Sequence, residues 1–369
     1  MKNPFAYGRV VEGSDYCPRP KLEKLLAGLL ESGQNVVLHG ERRVGKTSLA
    51  VRAARKKRTV YVDFLACNDA GDVTERIVKA ALKAANESGF LETAIKAFAS
   101  LRPKVTIDPE SGSIGATLDT QRSELTIDSI EAALEKLGEL HKKKPIVVIL
   151  DEFQDVLRIK DERVALARMR SVIQFQGDLP YVFSGSARDK MEMIFSDPDS
   201  PFFKSAITME VAAHEGRGFR NFLTRKFEST KRKVSDDLFD AIEELGVRVT
   251  GDIQQLCWAL WLSSEPGKTI DQDSIDDALD TIFQIERSKY EDTVLNVSAT
   301  QQKVLSALAT QGGKGLYTAE FKQSSGVNVV GSITKAVKRL EELRIVYRHL
   351  GEYRFSNPFF GVWMRKRFA

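Results

Sequence analysis

The sequence predicts an α/β protein in which a five-stranded parallel sheet precedes a small helical domain and a C-terminal module of three helices and a hairpin. Short aliphatic segments alternate with amphipathic helical patterns as far as residue 211, as parallel sheets require. The pattern is then wholly helical to residue 297. From residue 298, three helical segments lead into an alternating hairpin segment. We therefore expect domains at residues 1–211, 212–297 and 298–369.

The composition is that of a soluble globular protein, with 42% hydrophobic and 29% charged residues in a chain of 369. No apolar run approaches the roughly 18 residues of a membrane span, and the N-terminus lacks an apolar signal region, so no membrane partner is expected. Cys17, Cys67 and Cys257 lie far apart and form no C-x-x-C pair. This pattern favours the reducing cytoplasm and argues against a zinc site.

The first predicted strand leads directly into a phosphate-binding loop. Residues 36–38 are aliphatic, and residues 40–47 fit G-x-x-x-x-G-K-[ST] at every fixed position. The two glycines allow successive N–H groups to point at an anion, next to the start of a predicted helix. The residues expected to bind the nucleotide are Gly40, Glu41, Arg42, Arg43, Val44, Gly45, Lys46, Thr47 and Ser48.

Within this loop, two side chains have distinct expected roles. Lys46 can reach the β- and γ-phosphates, and the Thr47 hydroxyl can ligate Mg²⁺. The sequence therefore predicts that the chain binds ATP with Mg²⁺.

Two acids follow the most apolar strand of the chain. Residues 146–150 are five aliphatic residues in a row, which predicts a strand buried on both faces. Asp151 at its carboxyl end is expected to meet Mg²⁺ through water, and Glu152 is the candidate to polarise an attacking water. An acidic turn after a core strand is the alternative interpretation, which Lys46 and Thr47 upstream make less favourable.

The remaining strands are predicted at residues 59–64, 179–186 and 206–211. In P-loop ATPases with an extra strand between the two phosphate-site strands, the end of that strand carries a polar sensor that faces the γ-phosphate. Ser184 and Ser186 are candidates for this sensor, and a plain Ser-Gly-Ser turn is the other interpretation. Residues 104–118 predict a hairpin insert to which the sequence assigns no role.

Two further segments have two interpretations each. A helix predicted at residues 21–31 either covers the nucleotide base or packs on the sheet. The helical region after residue 212 is expected to act as a lid. Within it, Thr250, Gly251 and Asp252 either approach the nucleotide or simply cap a helix.

Residues 298–369 predict a winged helix-turn-helix, with helices at 301–309, 318–325 and 329–343 and a hairpin at 346–355. Residues 299–369 contain twelve bases and four acids, a net charge of +8, which leaves −4 for the rest of a chain of net charge +4. This asymmetry favours double-stranded DNA as a partner, with protein docking as the alternative. The expected DNA contacts are Ser332, Lys335, Lys338 and Arg339 on the third helix and Arg348 and Arg354 on the wing.

With these residues in view, the chain resembles the archaeal and bacterial ATPase family of the STAND branch of the AAA+-like (ASCE) P-loop ATPases. The similarity rests on G-E-R-R-V-G-K-T-S-L, I-L-D-E-F-Q-D, F-S-G-S and F-S-N-P-F-F-G-V-W, and it covers nearly the whole chain. It implies a nucleotide-operated switch with ATPase activity. It also implies the usual roles for Lys46, Thr47, Asp151 and Glu152.

The sequence departs from this family at two places. The lid turn reads T-G-D-I-Q and lacks the family's His and Pro, and Lys204 stands near the position where many relatives have Arg. Lys204 either supplies the missing cation or hydrolysis is slow. Arg188 and Arg217 are candidates for an arginine that a neighbouring subunit of an oligomer supplies.

Three functions stay open on the sequence alone. They are an ATP-hydrolysing switch, a DNA-binding initiator or regulator similar to origin-recognition ATPases, and a signalling scaffold whose winged helix docks a protein.

Overall fold

The computed structural model describes residues 1–107, 114–119, 125–186, 188–214, 216–245, 247–349 and 351–368. The chain forms two compact units, Val10–Ala213 and a second unit of Met1–Arg9 with His214–Ala369. No helix among the described residues is long and apolar enough to cross a bilayer.

The first nine residues belong to the helical unit, whereas the sequence-based division placed them with the sheet. The reason is that the apolar side chain of Phe5 has its partners there. Its ring lies 4.4 Å from that of Phe227, and the Lys226 ammonium donates a hydrogen bond to the Pro4 carbonyl. Asn3 also donates to the Trp258 carbonyl, at 3.0 Å.

The unit Val10–Ala213 is a parallel sheet covered by helices. Its strands are β1 Val36–His39, β2 Arg58–Asp63, β3 Pro103–Ile107, β4 Ile114–Leu118, β5 Ile146–Asp151, β6 Tyr181–Ser184 and β7 Ile207–Glu210. Its helices are α1 Pro20–Glu31, α2 Lys46–Ala54, α3 Ala70–Glu87, α4 Leu91–Ala97, α5 Ile127–Lys143, α6 Glu162–Ile173 and α7 Arg188–Phe195.

The five-stranded sheet has the order β2-β5-β6-β1-β7, and every neighbouring pair is parallel. The predicted five-stranded parallel sheet is confirmed. Strand β6 separates β1, which leads into the glycine loop, from β5, which leads into the two acids. Carboxyl ends of parallel strands meet at one edge, so this order brings both segments to the same side of the sheet.

Strands β3 and β4 pair antiparallel in a ribbon of their own, which confirms the predicted hairpin insert. The turn predicted at residues 109–112 lies outside the described residues.

An aromatic cluster fills the core beneath the acids. Every residue of β5 is buried, and the Phe153 ring that follows lies 4.8 Å from Phe183 and 5.6 Å from Phe202. Phe64 and Phe195 complete the cluster, at 5.8 and 5.9 Å from Phe153. Such tilted aromatic contacts stabilise beyond their buried area. The backbone of residues 151–153 is therefore anchored by the core.

The helical unit contains α8 Gly216–Glu228, α9 Leu238–Glu244, α10 Thr250–Ser263 and α11 Ser274–Leu295, with the short parallel pair β8 Lys233–Val234 and β9 Thr269–Ile270. The winged-helix module follows, as α12 Ala299–Gln311, α13 Ala319–Ser325, α14 Val330–Glu342, β10 Val346–His349, β11 Glu352–Phe355 and α15 Pro358–Phe368.

The predicted three helices and hairpin of this module are confirmed, whereas α15 was not predicted. Its sequence P-F-F-G-V-W-M has no helical periodicity, because apolar residues point in every direction. Phe359, Phe360 and Met364 are buried, and Phe360 lies 5.3 Å from the Tyr290 ring of α11. Gly361 is required inside the helix, because an added Cβ would lie 2.7 Å from the Phe355 ring.

The aromatic cluster gives a matched stability test. Phe153→Ala should lower the free energy of unfolding by about 3–5 kcal/mol, because it removes a fully buried ring among four others. Phe175→Ala, at a side chain that is 85% exposed, should change it little. Urea denaturation monitored by circular dichroism compares the two. Equal midpoints would contradict the importance of the cluster.

Candidate nucleotide-binding site

The glycine loop has a curled backbone that excludes side chains at its two fixed glycines. Gly40 and Gly45 have φ angles of +153° and +94°, and an added Cβ on Gly40 would lie 2.2 Å from the Val211 carbonyl oxygen. Arg43 is also left-handed, at φ +63°. Alternating backbone handedness of this kind makes successive amide groups converge on an anion. Helix α2 begins directly after Gly45.

Lys46 lies beneath the loop with its charge held by backbone carbonyls. Its Nζ donates to the carbonyl oxygens of Gly40 and Glu41, at 3.0 and 2.8 Å. The side chain is only 6% exposed, and this burial lowers the pKa of Lys46 to about 8, although the Glu152 and Asp151 carboxylates act in the opposite direction. A buried ammonium with only carbonyl partners is stabilised when an anion arrives.

The glycine loop and the acidic segment meet at Asp151. Thr47 Oγ1 donates to Asp151 Oδ2 at 2.7 Å, and the Tyr61 hydroxyl donates to the same oxygen at 2.8 Å. Tyr61 was not predicted as a site residue. Burial, and then the Asp151 charge, raise the pKa of Tyr61, so its hydroxyl remains a donor. The signal for it is its place in β2, directly beside β5 in the sheet.

Glu152 is oriented by two donors on one oxygen. Its Oε2 accepts from Gln154 Nε2 at 2.6 Å and from Ser186 Oγ at 2.9 Å. Its backbone is left-handed, at φ +48°, which is uncommon for a residue with a side chain. Gln154 is 2% exposed and was missed by the sequence reasoning, although a buried amide directly after the acids is a detectable signal.

The two candidate sensor serines lie in different environments. Ser186 contacts Glu152, whereas the buried Ser184 Oγ has no hydrogen-bond partner among the described residues. Neither serine contacts Asp151 in that part of the chain. Ser186 is therefore the one that the structure brings to the acids.

Residues before α1 form hydrogen bonds with the glycine loop and with the start of α2. Arg19 donates to the Val44 carbonyl at 2.9 Å and to the Ala212 carbonyl at 2.8 Å. Ser48 Oγ accepts from the Val11 amide at 3.1 Å. Ser48 therefore holds protein backbone with its hydroxyl, and Arg19 is a supporting residue that the loop motif does not reveal.

The structure gives local contacts for Lys204 and for the lid turn, and it places Arg217 in the helical unit. Lys204 has φ +52°, and its Nζ lies 5.1 Å from the centre of the Phe203 ring. Arg217 belongs to α8 of the helical unit, and the side chain of Arg188 lies outside the described residues. Thr250 Oγ1 accepts from the His214 amide at 3.0 Å, at the start of α10. Val249, the residue before α10, forms no side-chain cap, so this contact does not confirm the capping interpretation of the turn.

Comparison with known proteins establishes the fold class. No curated protein matches the chain significantly. A family model described as a probable winged helix domain matches residues 288–366, and so begins within α11.

Solved structures match the chain over nearly its whole length. A Walker-type ATPase of Pyrococcus abyssi aligns with a TM-score of 0.66 at 16% identity, covering 95% of this chain and 96% of that one. The Orc1 protein of Aeropyrum pernix, solved in complex with DNA, gives 0.53 at 14% identity over 97% and 100%. The Orc2 protein of the same organism, solved as ADPNP and ADP complexes, gives 0.52 at 14% over 98% and 96%. The chain therefore has the AAA+-like P-loop fold with a C-terminal winged helix, as predicted.

The buried ammonium gives a pH-dependent prediction. Between pH 8 and Lys46's ordinary pKa of 10.5, the unfolded chain keeps a proton that the folded chain has lost, so stability rises with pH in this window. Lys46→Met removes the cost of burying the charge. We expect the nucleotide-free variant to be more stable than wild type at pH 7, by up to about 3 kcal/mol, and to lose this advantage near pH 10.5.

Thermal unfolding across this pH range measures the difference. Lys21→Met, at an exposed lysine of α1, serves as the control and should show no such pH dependence. The prediction would be contradicted if the stability of Lys46→Met relative to wild type were lower at pH 7 than at pH 10.5. Burial would then not disfavour the charged form of Lys46.

Proposed function

We propose that the chain is an ATP-hydrolysing switch in which residues 40–48 bind the triphosphate and Asp151 and Glu152 act at its outer phosphate. One observation carries the proposal. The 2.7 Å hydrogen bond between Thr47 and Asp151 joins residues that are 104 positions apart, directly beside the buried Lys46. A polyanion bound in the curled loop satisfies the ammonium and the converging amides together.

The donor set fits Mg²⁺. A hydroxyl and a carboxylate oxygen lie side by side at Thr47 and Asp151, and these are the oxygen ligands that Mg²⁺ accepts beside phosphate oxygens. We assign these two residues to hold the ion. When bound, Mg²⁺ neutralises charge on the phosphates. The hydrogen bond from Tyr61 would hold the Asp151 carboxylate in place beside the ion.

Glu152 is assigned as the general base. Its Oε2 is occupied by Gln154 and Ser186, whereas no hydrogen bond to Oε1 occurs within the described residues. A carboxylate fixed through one oxygen can accept a proton from water at the other. Gln154 and Ser186 are then positioning residues for this step.

Substitution of the base separates binding from turnover. Glu152→Gln should bind ATP with near wild-type affinity and hydrolyse it about 10²–10⁴-fold more slowly, because the amide cannot accept the proton. Glu162→Gln, at an exposed acid of the same unit, is the control and should leave both unchanged. Phosphate release and equilibrium binding of a fluorescent ATP analogue give the two readouts. Hydrolysis at the wild-type rate by Glu152→Gln rules out this role.

We further propose that the winged-helix module binds double-stranded DNA and that the nucleotide state sets its affinity. Lys335 and Lys338 are exposed on α14, and neither forms an ion pair among the described residues. Arg339 is tied to Glu342 at 2.9 Å, and Arg354 lies 3.3 Å from Glu352. The two lysines are therefore the better DNA contacts. Membership of the STAND branch and a cytoplasmic location are parts of the same proposal.

The salt dependence of DNA binding tests these lysines. Lys335→Ala and Lys338→Ala should each weaken binding at all sequences and reduce the slope of log K against log salt by about 1. Lys303→Ala, at an exposed lysine of α12, should leave the slope unchanged. Fluorescence anisotropy with a labelled duplex measures it. The same slope for all three variants would exclude α14 as the contact surface.

Protein docking is the second candidate for this module. A cleft between α11 and the segment after α14 is lined by both apolar and charged residues, among them Ile285, Lys289, Asp292, Leu343 and Ile345. Ile285 and Leu343 are exposed large apolar side chains, which are common at protein contacts. A module that docks protein through this cleft would be indifferent to duplex DNA in the titration above.

A further inference from the structure

The solvent-facing side of α14 carries residues that the fold does not explain. We call the apolar–basic face the set Val329, Val330, Gly331, Thr334, Lys335 and Lys338, of which residues 330, 331, 334, 335 and 338 share one stripe at helical spacing. The opposite side of the helix, with Ile333, Ala336, Val337 and Leu340, is buried in the module. Packing of the helix is therefore complete without the apolar–basic face.

The start of α14 lacks the side-chain cap that α12 and α13 have. Helices α12 and α13 begin with Ser298 and Thr318, whose hydroxyls accept hydrogen bonds from the amides of Gln301 and Phe321. Helix α14 begins instead with Val329, which makes no side-chain cap. Valine is among the least favourable residues at this position. Val329 is also 64% exposed, and Val330 is 43% exposed.

Gly331 is a second residue that disfavours the helix. An added Cβ would meet no atom within 4 Å, and its φ is not in the left-handed region, so alanine would fit and would favour the helix. Three successive positions thus carry residues that do not favour the start of a helix, and the two valines remain largely exposed. Local choices of this kind are expected where a surface serves a partner. Glycine in particular allows a partner to approach the backbone closely.

The charge next to these residues identifies the partner class. Lys335 and Lys338 follow on the same stripe. The acids of α14, Glu341 and Glu342, lie in its last turn, and Glu342 is paired with Arg339. The Thr334 hydroxyl lies 3.2 Å from the Tyr317 hydroxyl and donates to the Val330 carbonyl at 3.0 Å. A surface that combines lysines with small apolar groups matches the major groove, where phosphates flank the C5-methyl groups of thymine.

We propose that the apolar–basic face of α14 reads thymine methyl groups in the major groove of duplex DNA, so that the chain prefers A·T-rich sequences. The proposal rests on the DNA binding proposed above and adds its sequence preference. Val329 and Val330 supply the methyl contacts, Gly331 permits close approach, and Lys335 and Lys338 bind the flanking phosphates.

The test compares two duplexes that differ only in methyl groups. Full-length protein is titrated with an alternating A·T duplex and with the same duplex containing deoxyuridine in place of thymidine, at fixed low salt. The deoxyuridine duplex should bind more weakly, by roughly three- to fourfold for each contacted methyl and about tenfold for two. Val329→Ser with Val330→Ser should abolish the difference.

Two single variants should change stability and discrimination in opposite directions. Gly331→Ala and Val329→Ser each favour the helix, so the melting temperature should rise by about 1–3 °C. Both should reduce the preference for the thymidine duplex, because one blocks close approach and the other removes an apolar contact. Lys338→Ala is the matched control. It should weaken both duplexes equally and leave their ratio unchanged.

The titrations distinguish failure of the thymine proposal from failure of the DNA-binding proposal. If the protein binds both duplexes equally well, the thymine proposal is overturned while DNA binding stands. If no duplex binds at low salt, the DNA proposal itself fails, and the face is then a protein-docking surface. If the double serine variant keeps the wild-type ratio of affinities for the two duplexes, the assignment of Val329 and Val330 is also overturned. The discrimination would then arise from other residues.

Discussion

The carboxylate of Asp151 is the group on which the rest of the sheet unit depends. It lies at the end of a fully buried strand, where an unpartnered charge would be costly, and two hydroxyls donate to one of its oxygens. Those hydroxyls come from α2 and β2, so a single acid fixes the glycine loop relative to the sheet edge. The strand order places β6 between the two segments, and Ser186 after β6 then reaches Glu152.

Burial at this edge is a compromise between stability and binding. Lys46, Asp151 and Gln154 are all nearly inaccessible. Among the described residues the Lys46 ammonium donates to backbone carbonyls, and its burial lowers the stability of the nucleotide-free protein. The aromatic cluster around Phe153 stabilises the backbone next to Asp151 and so opposes this loss of stability. The left-handed backbone of Glu152 is a further local cost that this anchoring tolerates. Burial of the Lys46 ammonium therefore favours the binding of an anion at this edge.

The sequence was informative where function demands fixed residue types. The loop glycines, Lys46, Thr47 and the two acids follow a spacing set by the chemistry, and the aliphatic run of β5 predicts a central strand on its own. Tyr61, Gln154 and Arg19 escaped prediction because each acts through a partner that only the folded chain brings near. Helix α15 escaped because its apolar residues show no period. The nine N-terminal residues escaped because their partners lie more than 200 positions away.

Arg19 joins the glycine loop to the end of the sheet unit. One guanidinium contacts both Val44 in the glycine loop and Ala212, the last residue but one of the sheet unit. The polypeptide passes between the two units twice, after residue 9 and after residue 213. Arg19 follows the first crossing in sequence and contacts Ala212 just before the second. The guanidinium therefore fixes the glycine loop against the last residues of the sheet unit.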